Sequence, residues 1–410
     1  MKPRQSPFRA LQFHNYRLFL IAYMISRIGA EMQVVVLNWH IYQITNTTWS
    51  LALIGLSRFI PIIIFSLIGG TVADIINRKT MLVISQICLT FIALAFFITT
   101  ANGTITPLII YVLVALGAVV ASFDTPARQS ILPSIVPKQY FINAVGLNTI
   151  MWQTAVVLGP SLAGFMIAGM GEKGVYLINT LCFFASIITL FGIHPTKTVV
   201  EKPVSFNLAS VWEGLHFVKN SPIIYSTMFL DFFATFFASA TVLLPVFAKD
   251  ILKVGPQGLG ILYAAPSLGA ILAGLFVSSL GHIHHQGRIL IISVFVYGLA
   301  TILFGITKSF PLALVFLALS GMGDVVSTII RNTIRQLKTP DHLRGRMISV
   351  NMIFFMGGPQ LGETESGILA ALVGTPAAVV VGGVGTLIAT GLIAILIPKL
   401  RKYHGDEVVV

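Results

Sequence analysis

The sequence predicts an all-α membrane protein: twelve transmembrane helices in two six-helix, pseudo-repeated bundles. Three observations lead there. The 410 residues are 10% charged and 56% hydrophobic, with a mean hydropathy of +0.89. A soluble chain carries roughly 25% charged residues, enough to cover a water-facing surface that this chain could not cover. Continuous apolar stretches recur along the whole length, and most Lys and Arg fall in alternate connections between them. The formal net charge of +12 would suit nucleic acid only if the basic residues clustered on a soluble face. They sit in short loops instead, so no nucleic-acid partner is expected. Cys88 and Cys182 both lie inside apolar runs, which supports neither a disulfide framework nor a cysteine-based metal site.

A helix crossing the hydrocarbon core needs about 20 mainly apolar residues. Spans are expected near 18–43, 50–73, 80–100, 105–124, 140–169, 174–193, 222–247, 257–280, 288–307, 310–330, 345–371 and 376–398. A β-barrel would show alternating segments of ~10 residues, and these runs are continuous. The first apolar segment contains Arg27 and Glu31 and has no small-residue cleavage site behind it, so it reads as a permanent helix, not a leader. The longest polar stretch between spans, about His194 to Ser221, falls in mid-chain. The expected organisation is a six-helix bundle over 1–195, a cytoplasmic linker over 196–220, a second bundle over 221–398 and a cytoplasmic tail over 399–410.

Orientation follows from the basic residues. With the N-terminus inside, 20 of the 26 Lys and Arg fall in cytoplasmic segments. Lys173, Lys249, Lys253 and Lys308 fall on the other side, and Arg27 and Arg58 lie within spans. The chain is therefore read as a multi-pass protein of the inner (plasma) membrane with both termini cytoplasmic.

The two halves repeat at an offset of 203 residues. Arg128 maps to Arg331, Pro137 to Pro340, Asn148 to Asn351, Gly159 to Gly362, Gly164 to Gly367 and Gly171 to Gly374. Related six-span halves around a linker describe a parallel-repeat transporter, with substrate expected between the halves near the midplane.

The loop after span 2 reads Gly69-Gly70-Thr71-Val72-Ala73-Asp74-Ile75-Ile76-Asn77-Arg78-Lys79. It resembles the signature of the major facilitator superfamily, in which a glycine, then an acid, a turn and a basic pair join helices 2 and 3. Ile75 and Asn77 stand where that pattern has a basic residue and a glycine. Gly70 would let helices approach, Asp74 would satisfy helix-end amides, and Arg78 would pair with Asp124 on span 4. Span 5 carries Gly159-Pro160-Ser161-Leu162-Ala163-Gly164, similar to the Gly-Pro motif of the exporter branches. Residues 105–123 hold no charge, so the antiporter motif with an arginine inside span 4 is absent. A narrower likeness covers nearly the whole chain. Phe123-Asp124-Thr125-Pro126-Ala127-Arg128-Gln129, Leu132-Pro133 with Val136-Pro137, and Tyr263-Ala264-Ala265-Pro266 resemble the enterobactin exporter and macrolide efflux group (drug:proton antiporter-3 type). The resemblance implies the major facilitator fold and export of a sizeable small molecule.

Ionisable groups inside spans are costly and become functional candidates by default. Arg27 and Glu31 lie i,i+4 on one face of span 1 and could pair. Span 2 adds Arg58, span 7 Asp231, span 10 Asp324, and span 11 Glu363 and Glu365. The resemblance implies that spans 1, 4, 7 and 10 line the central cavity, which puts Glu31, Asp231 and Asp324 on the right helices. Glu31 is expected to be the leading proton carrier, the alternative being a structural pair with Arg27 or Arg58. Asp231 could equally cap its helix or face cytoplasmic water, and Asp324 could bond to a neighbouring helix. Asp74, Arg78, Asp124 and Arg128 are assigned to a cytoplasmic gate.

No Gly-x4-Gly-Lys-Ser/Thr loop occurs, so ATP is not the direct energy source. The expectation is a monomeric secondary transporter without cofactor or metal, exporting a siderophore or drug-like compound by proton-coupled antiport. An importer of the same fold and a non-transporting membrane sensor stay open. An enzyme would need a convergent catalytic set, and none is found.

Overall fold

The computed structural model describes residues 9–75, 77–194, 208–280, 284–340 and 343–405. Among them are helices and no strand. Helices α1 (His14–Thr45), α2 (Thr48–Ile75), α3 (Arg78–Ala101) and α4 (Pro107–Ile135) are spans 1–4. Helix α5 (Phe141–Phe191) holds spans 5 and 6, and α6 (Leu208–Lys219) falls in the stretch between the sixth and seventh spans. Spans 7–12 begin with α7 (Pro222–Phe237), α8 (Gly255–Ser279) and α9 (Gln286–Ile306). They continue with α10 (Phe310–Lys338), α11 (Arg344–Val373) and α12 (Thr375–Leu396). Ten helices among the described residues are long and apolar enough to cross a membrane. The divided α5 and the 30-residue α11 bring the spans to twelve.

Local chemistry sets the helix starts. Pro107 opens α4 at a position that has no amide to lose, and Thr106 caps it by accepting from the Ile109 amide. Asn77 stands where the loop pattern has a glycine, yet it does not use a left-handed backbone. It instead takes φ −55°, ψ 121° and caps α3, its side chain accepting from the Lys79 amide at 2.9 Å.

Three helix ends depart from the expectation. Span 4 was expected to stop at 124 and span 10 at 330, but α4 runs to Ile135 and α10 to Lys338. Arg128, Arg331 and Arg335, counted above with the cytoplasmic loops, therefore lie within helices. A hydropathy boundary stops at the first charge, whereas backbone hydrogen bonding continues as long as each arginine finds a buried partner. Span 7 breaks early: α7 ends at Phe237, and the chain goes on through a 3-10 turn (Ala240–Leu243) and a π-turn (Phe247–Ile251).

The helices cluster into two units. The first comprises Met1–Thr45, Ser57–Ser205 and Pro256–Gly260; the second comprises Asn46–Leu56, Phe206–Gly255 and Ile261–Val410. The first packs around Tyr16, Phe19, Leu82, Ile131 and Leu190, the second around Leu230, Leu290, Val294, Ile334 and Tyr403. Large apolar side chains also cover the outside. Leu108, Leu372, Ile395 and Leu396 are all at least 70% exposed, which suits hydrocarbon and not water.

The repeat shows in the backbone. Gly171, where spans 5 and 6 meet, has φ 70°, ψ −179°, and its counterpart Gly374, between α11 and α12, has φ 88°, ψ 151°. Both sit in a region that only glycine enters readily. Gly159 and its counterpart Gly362 touch matching helices. A Cβ on Gly159 would lie 2.5 Å from the Glu31 Cβ of α1, and one on Gly362 would lie 2.6 Å from Ser239 Oγ and collide with the Phe236 carbonyl of α7. Gly164, inside the first unit, would meet the Pro256 carbonyl at 2.5 Å, and Gly367, inside the second, the Ala52 amide nitrogen at 2.7 Å.

Gly171→Ala is expected to cost about 1–3 kcal/mol by forcing a side chain into that backbone region. Gly169→Ala, at a helical position with open space around it, should be neutral or slightly stabilising. Thermal unfolding of the detergent-solubilised pair checks this, and equal midpoints would refute it.

Candidate functional site

Each unit holds a compact set of charges, built where its first helix meets its fourth. On α1, a period of 3.6 residues puts Tyr23, Arg27 and Glu31 on one face. Arg27 Nη2 pairs with Glu31 Oε1 at 2.6 Å, and the Glu31 side chain is 16% exposed. Gly159, from the glycine–proline motif of α5, lets that helix lie directly on the Glu31 turn of α1.

The second pair of the set is Asp124 with Arg128 on α4, whose Arg128 Nε donates to Asp124 Oδ2. The other Asp124 oxygen accepts from Gln86 Nε2 of α3 at 3.0 Å, and Gln86 is fully buried. Arg128 Nη2 donates to Ser26 Oγ of α1 at 3.2 Å, and the guanidinium lies 5.5 Å from the Tyr23 ring centre. Arg128 thus ties α4 to α1. Two charge pairs, with two positive and two negative groups, leave the set formally neutral.

Arg78 does not pair with Asp124 as expected. Arg78 Nη1 donates to the Ser130 carbonyl at 2.9 Å. Arg128 wins because it lies i,i+4 from Asp124 on one continuous helix, and Gln86 occupies the remaining oxygen. The side chains of residues 66–76 lie outside the described residues, and with them Asp74 and the surroundings of Gly70. Arg58 of α2 is half-buried. Pro160 lies inside α5, where it removes a helical amide donor next to Gly159.

Beside Arg128 a cavity of about 400 Å³ opens within the first unit. Tyr23, Phe141 and Trp152 give it aromatic walls, and Arg128, Gln129 and Asn148 give it polar ones. The Arg128 Nη1 atom is buried there without a hydrogen-bond acceptor. A volume in this range suits a small organic molecule.

The second unit repeats the arrangement with different pairings. Asp231 of α7 is 3% exposed and is gripped by two arginines of α10. Arg331 Nη2 lies 3.0 Å from Asp231 Oδ1, and Arg335 Nη2 lies 3.4 Å from Oδ2. Arg335 also donates through Nε to Thr227 Oγ1 at 3.0 Å and through Nη2 to the Thr227 carbonyl at 2.9 Å. Arg331 Nη2 donates to Thr328 Oγ1 at 2.8 Å and reaches Asp324 Oδ1 at 3.7 Å. Asp231 therefore neither caps α7 nor faces cytoplasmic water, the two alternatives its place early in span 7 had suggested. Asp324 is 43% exposed and looks into a separate cavity.

Glu363 and Glu365 are half-buried on α11. Glu363 lies where Gly55 of α2 comes close: a Cβ on Gly55 would be 3.2 Å from the Glu363 Cβ. Glu365 accepts from Ser366 Oγ at 3.4 Å. Among the described residues no group of three His, Cys, Asp or Glu side chains comes together as a metal ion would require.

Arg331 and Arg335 were missed as site residues. Two signals pointed to them: the 203-residue offset that carries Arg128 to Arg331, and the i,i+4 spacing of the two arginines.

The profile of the transmembrane secretion effector family (MFS_3) matches residues 5–409. The chain belongs to this family of major facilitator transporters. It is similar to the multidrug efflux pump Tap of Mycolicibacterium fortuitum, 25% identical over 94% of this chain and 96% of the relative. It is also similar to the enterobactin exporter EntS of Shigella boydii serotype 18, 26% identical over 95% of this chain and 93% of the relative. Among solved structures, a bacterial homologue of the human lysosomal transporter Spinster shares the fold, with a TM-score of 0.74 at 13% identity over 97% and 99% of the two chains. The nucleoside transporter NupG does so with a TM-score of 0.69 at 16% identity over 95% and 100%. The family member described here is accordingly a membrane-embedded transporter of the major facilitator fold and not an enzyme.

Removing one partner of a buried ion pair leaves the other uncompensated, at a cost of about 3–5 kcal/mol. Asp231→Asn should destabilise the protein by about that amount, because Arg331 and Arg335 both lean on it. Asp324→Asn, which leaves Arg331 on Asp231, should cost clearly less. Denaturant unfolding of the two variants in detergent compares them, and the reverse order would contradict the pairing.

Proposed function

We propose that this transporter exports a siderophore or drug-like compound from the cytoplasm by alternating access, driven by protons moving the other way through Glu31. The observation that carries this reading is the Arg27–Glu31 pair, 2.6 Å apart, pressed against Gly159 of the exporter-type motif. Protonation of Glu31 discharges its carboxylate and frees the Arg27 guanidinium. Gly159 presents no side chain to the Glu31 turn of α1, so a changed charge on α1 acts on the α1–α5 seam. The gradient is strong enough to drive the cycle: one charge crossing 100 mV yields about 2.3 kcal/mol before the pH difference is added.

The cargo class draws support from the relatives' printed activities, multidrug efflux and enterobactin export, and from the cavity in the first unit. Aromatic walls beside one guanidinium suit a planar compound rich in hydrogen-bond acceptors. Asp124 and Arg128 on α4, together with Asp74 and Arg78 around the connection of α2 to α3, hold the gate: breaking the Arg128 link to Ser26 lets α4 part from α1. Arg58 and Glu363 modulate the charge around the transport path. The chain works as a monomer in the inner membrane with both termini cytoplasmic, as the lysine and arginine distribution supports, and needs no cofactor beyond the gradient.

Glu31→Gln should abolish gradient-driven export in inverted vesicles while leaving expression and unfolding temperature unchanged. Undiminished transport by that variant would remove Glu31 from the mechanism.

A further inference from the structure

The cavity in front of Asp324 lies wholly inside the second unit and encloses about 190 Å³, several times the ~30 Å³ share of one liquid water. Its polar lining comprises Asp324, Tyr297, Thr301, Ser320 and Thr241. Three of these hydroxyls have their single hydrogen committed to the backbone. Thr301 Oγ1 donates to the Tyr297 carbonyl at 2.9 Å, Ser320 Oγ to the Leu317 carbonyl at 2.7 Å, and the Tyr297 hydroxyl to the Ala238 carbonyl at 3.3 Å. What they offer the cavity is lone pairs. Thr301 and Ser320 are themselves buried.

The broken span 7 adds to the same polarity. Helix α7 ends at Phe237, and Ala238, its C-terminal cap, lines the cavity. The negative end of a 16-residue helix dipole therefore stands at this wall. The facing charges are Asp324, then Arg331 at 3.7 Å from it, with Asp231 and Arg335 behind. Arg331 lies nearer to Asp231, at 3.0 Å, so Asp324 is the acid it holds less closely.

We infer that this cavity is a binding site for a monovalent metal cation of the sodium type, with Asp324 as the charged ligand and Thr301, Ser320 and Tyr297 as neutral oxygen ligands. Oxygen-only donors favour hard cations, and a single carboxylate suits one positive charge better than two. Broken helices that turn oxygen acceptors inward are a common way for transporters to hold such an ion. The bound ion competes with Arg331 for Asp324 and leaves Arg331 on Asp231. Occupancy of the cavity is thereby coupled to the clamp between α7 and α10. This site is separate from Glu31 and does not depend on the proton reading.

The test is equilibrium binding of radioactive sodium to the full-length protein in lipid nanodiscs, with choline holding the ionic strength constant. Saturable binding near one ion per chain is expected, displaced by lithium and not by choline. Asp324→Asn should weaken it at least tenfold. Ser320→Ala and Thr301→Val, which leave every charge in place, should each weaken it severalfold while the unfolding temperature stays unchanged. Absence of saturable binding to the wild-type chain would overturn the inference, whether the cavity holds water alone or only a proton titrates there. So would binding that all three variants leave intact.

Discussion

Charge inside a lipid-embedded bundle has to be neutralised at short range, because water is not there to do it. The architecture of this transporter follows from that constraint. Each unit gathers two arginines and two acids: Arg27, Arg128, Glu31 and Asp124 in the first, Arg331, Arg335, Asp231 and Asp324 in the second. In each the fourth helix sends an arginine to the first, Arg128 to Ser26 on α1 and Arg331 to Asp231 on α7. The two sets differ in how evenly the charge is matched. In the first, each arginine has one acid four residues away on its own helix. In the second, Asp231 serves two arginines and Asp324 is left loosely held. Uneven matching sets apart an acid that can exchange partners from one that is locked.

The glycines that repeat at 203 residues explain how these sets are brought within reach. Gly159 and Gly362 remove the side chain where α5 meets α1 and where α11 meets α7. Close backbone approach is the main route to tight helix packing in lipid, where apolar surface gains nothing by leaving a solvent as apolar as itself. Gly171 and Gly374 let the chain reverse direction immediately afterwards, through a backbone region closed to side chains. One pattern of small residues thus fixes packing and connectivity in both halves.

The sequence made some of the candidate site legible and hid the rest. Arg27 with Glu31 was readable because a helix converts four-residue spacing into contact, and the same rule makes Asp124 with Arg128 a pair. Arg78 looked like the partner of Asp124 because the loop signature suggested it, and no sequence rule ranks two competing arginines. Asp231 carried no local hint of its clamp, since Arg331 and Arg335 are about a hundred residues away and had been assigned to a loop on hydropathy alone. Buried, paired arginines cease to mark the end of a span. The cavity before Asp324 was illegible for a further reason: it depends on where hydroxyl hydrogens point and on α7 ending at Phe237, both set by neighbouring helices.

Composition, span length and the duplicated glycines determined by themselves that this chain is a helical membrane protein of two related halves. Those are one-dimensional properties: hydrocarbon thickness selects run length, and duplication preserves spacing. Only the tertiary structure decided which acid meets which arginine, which hydroxyls keep lone pairs for a cavity, and which helices break. Those outcomes depend on distances of a few ångströms between helices far apart in the chain, and Coulomb and hydrogen-bond energies change steeply over such distances where water is excluded.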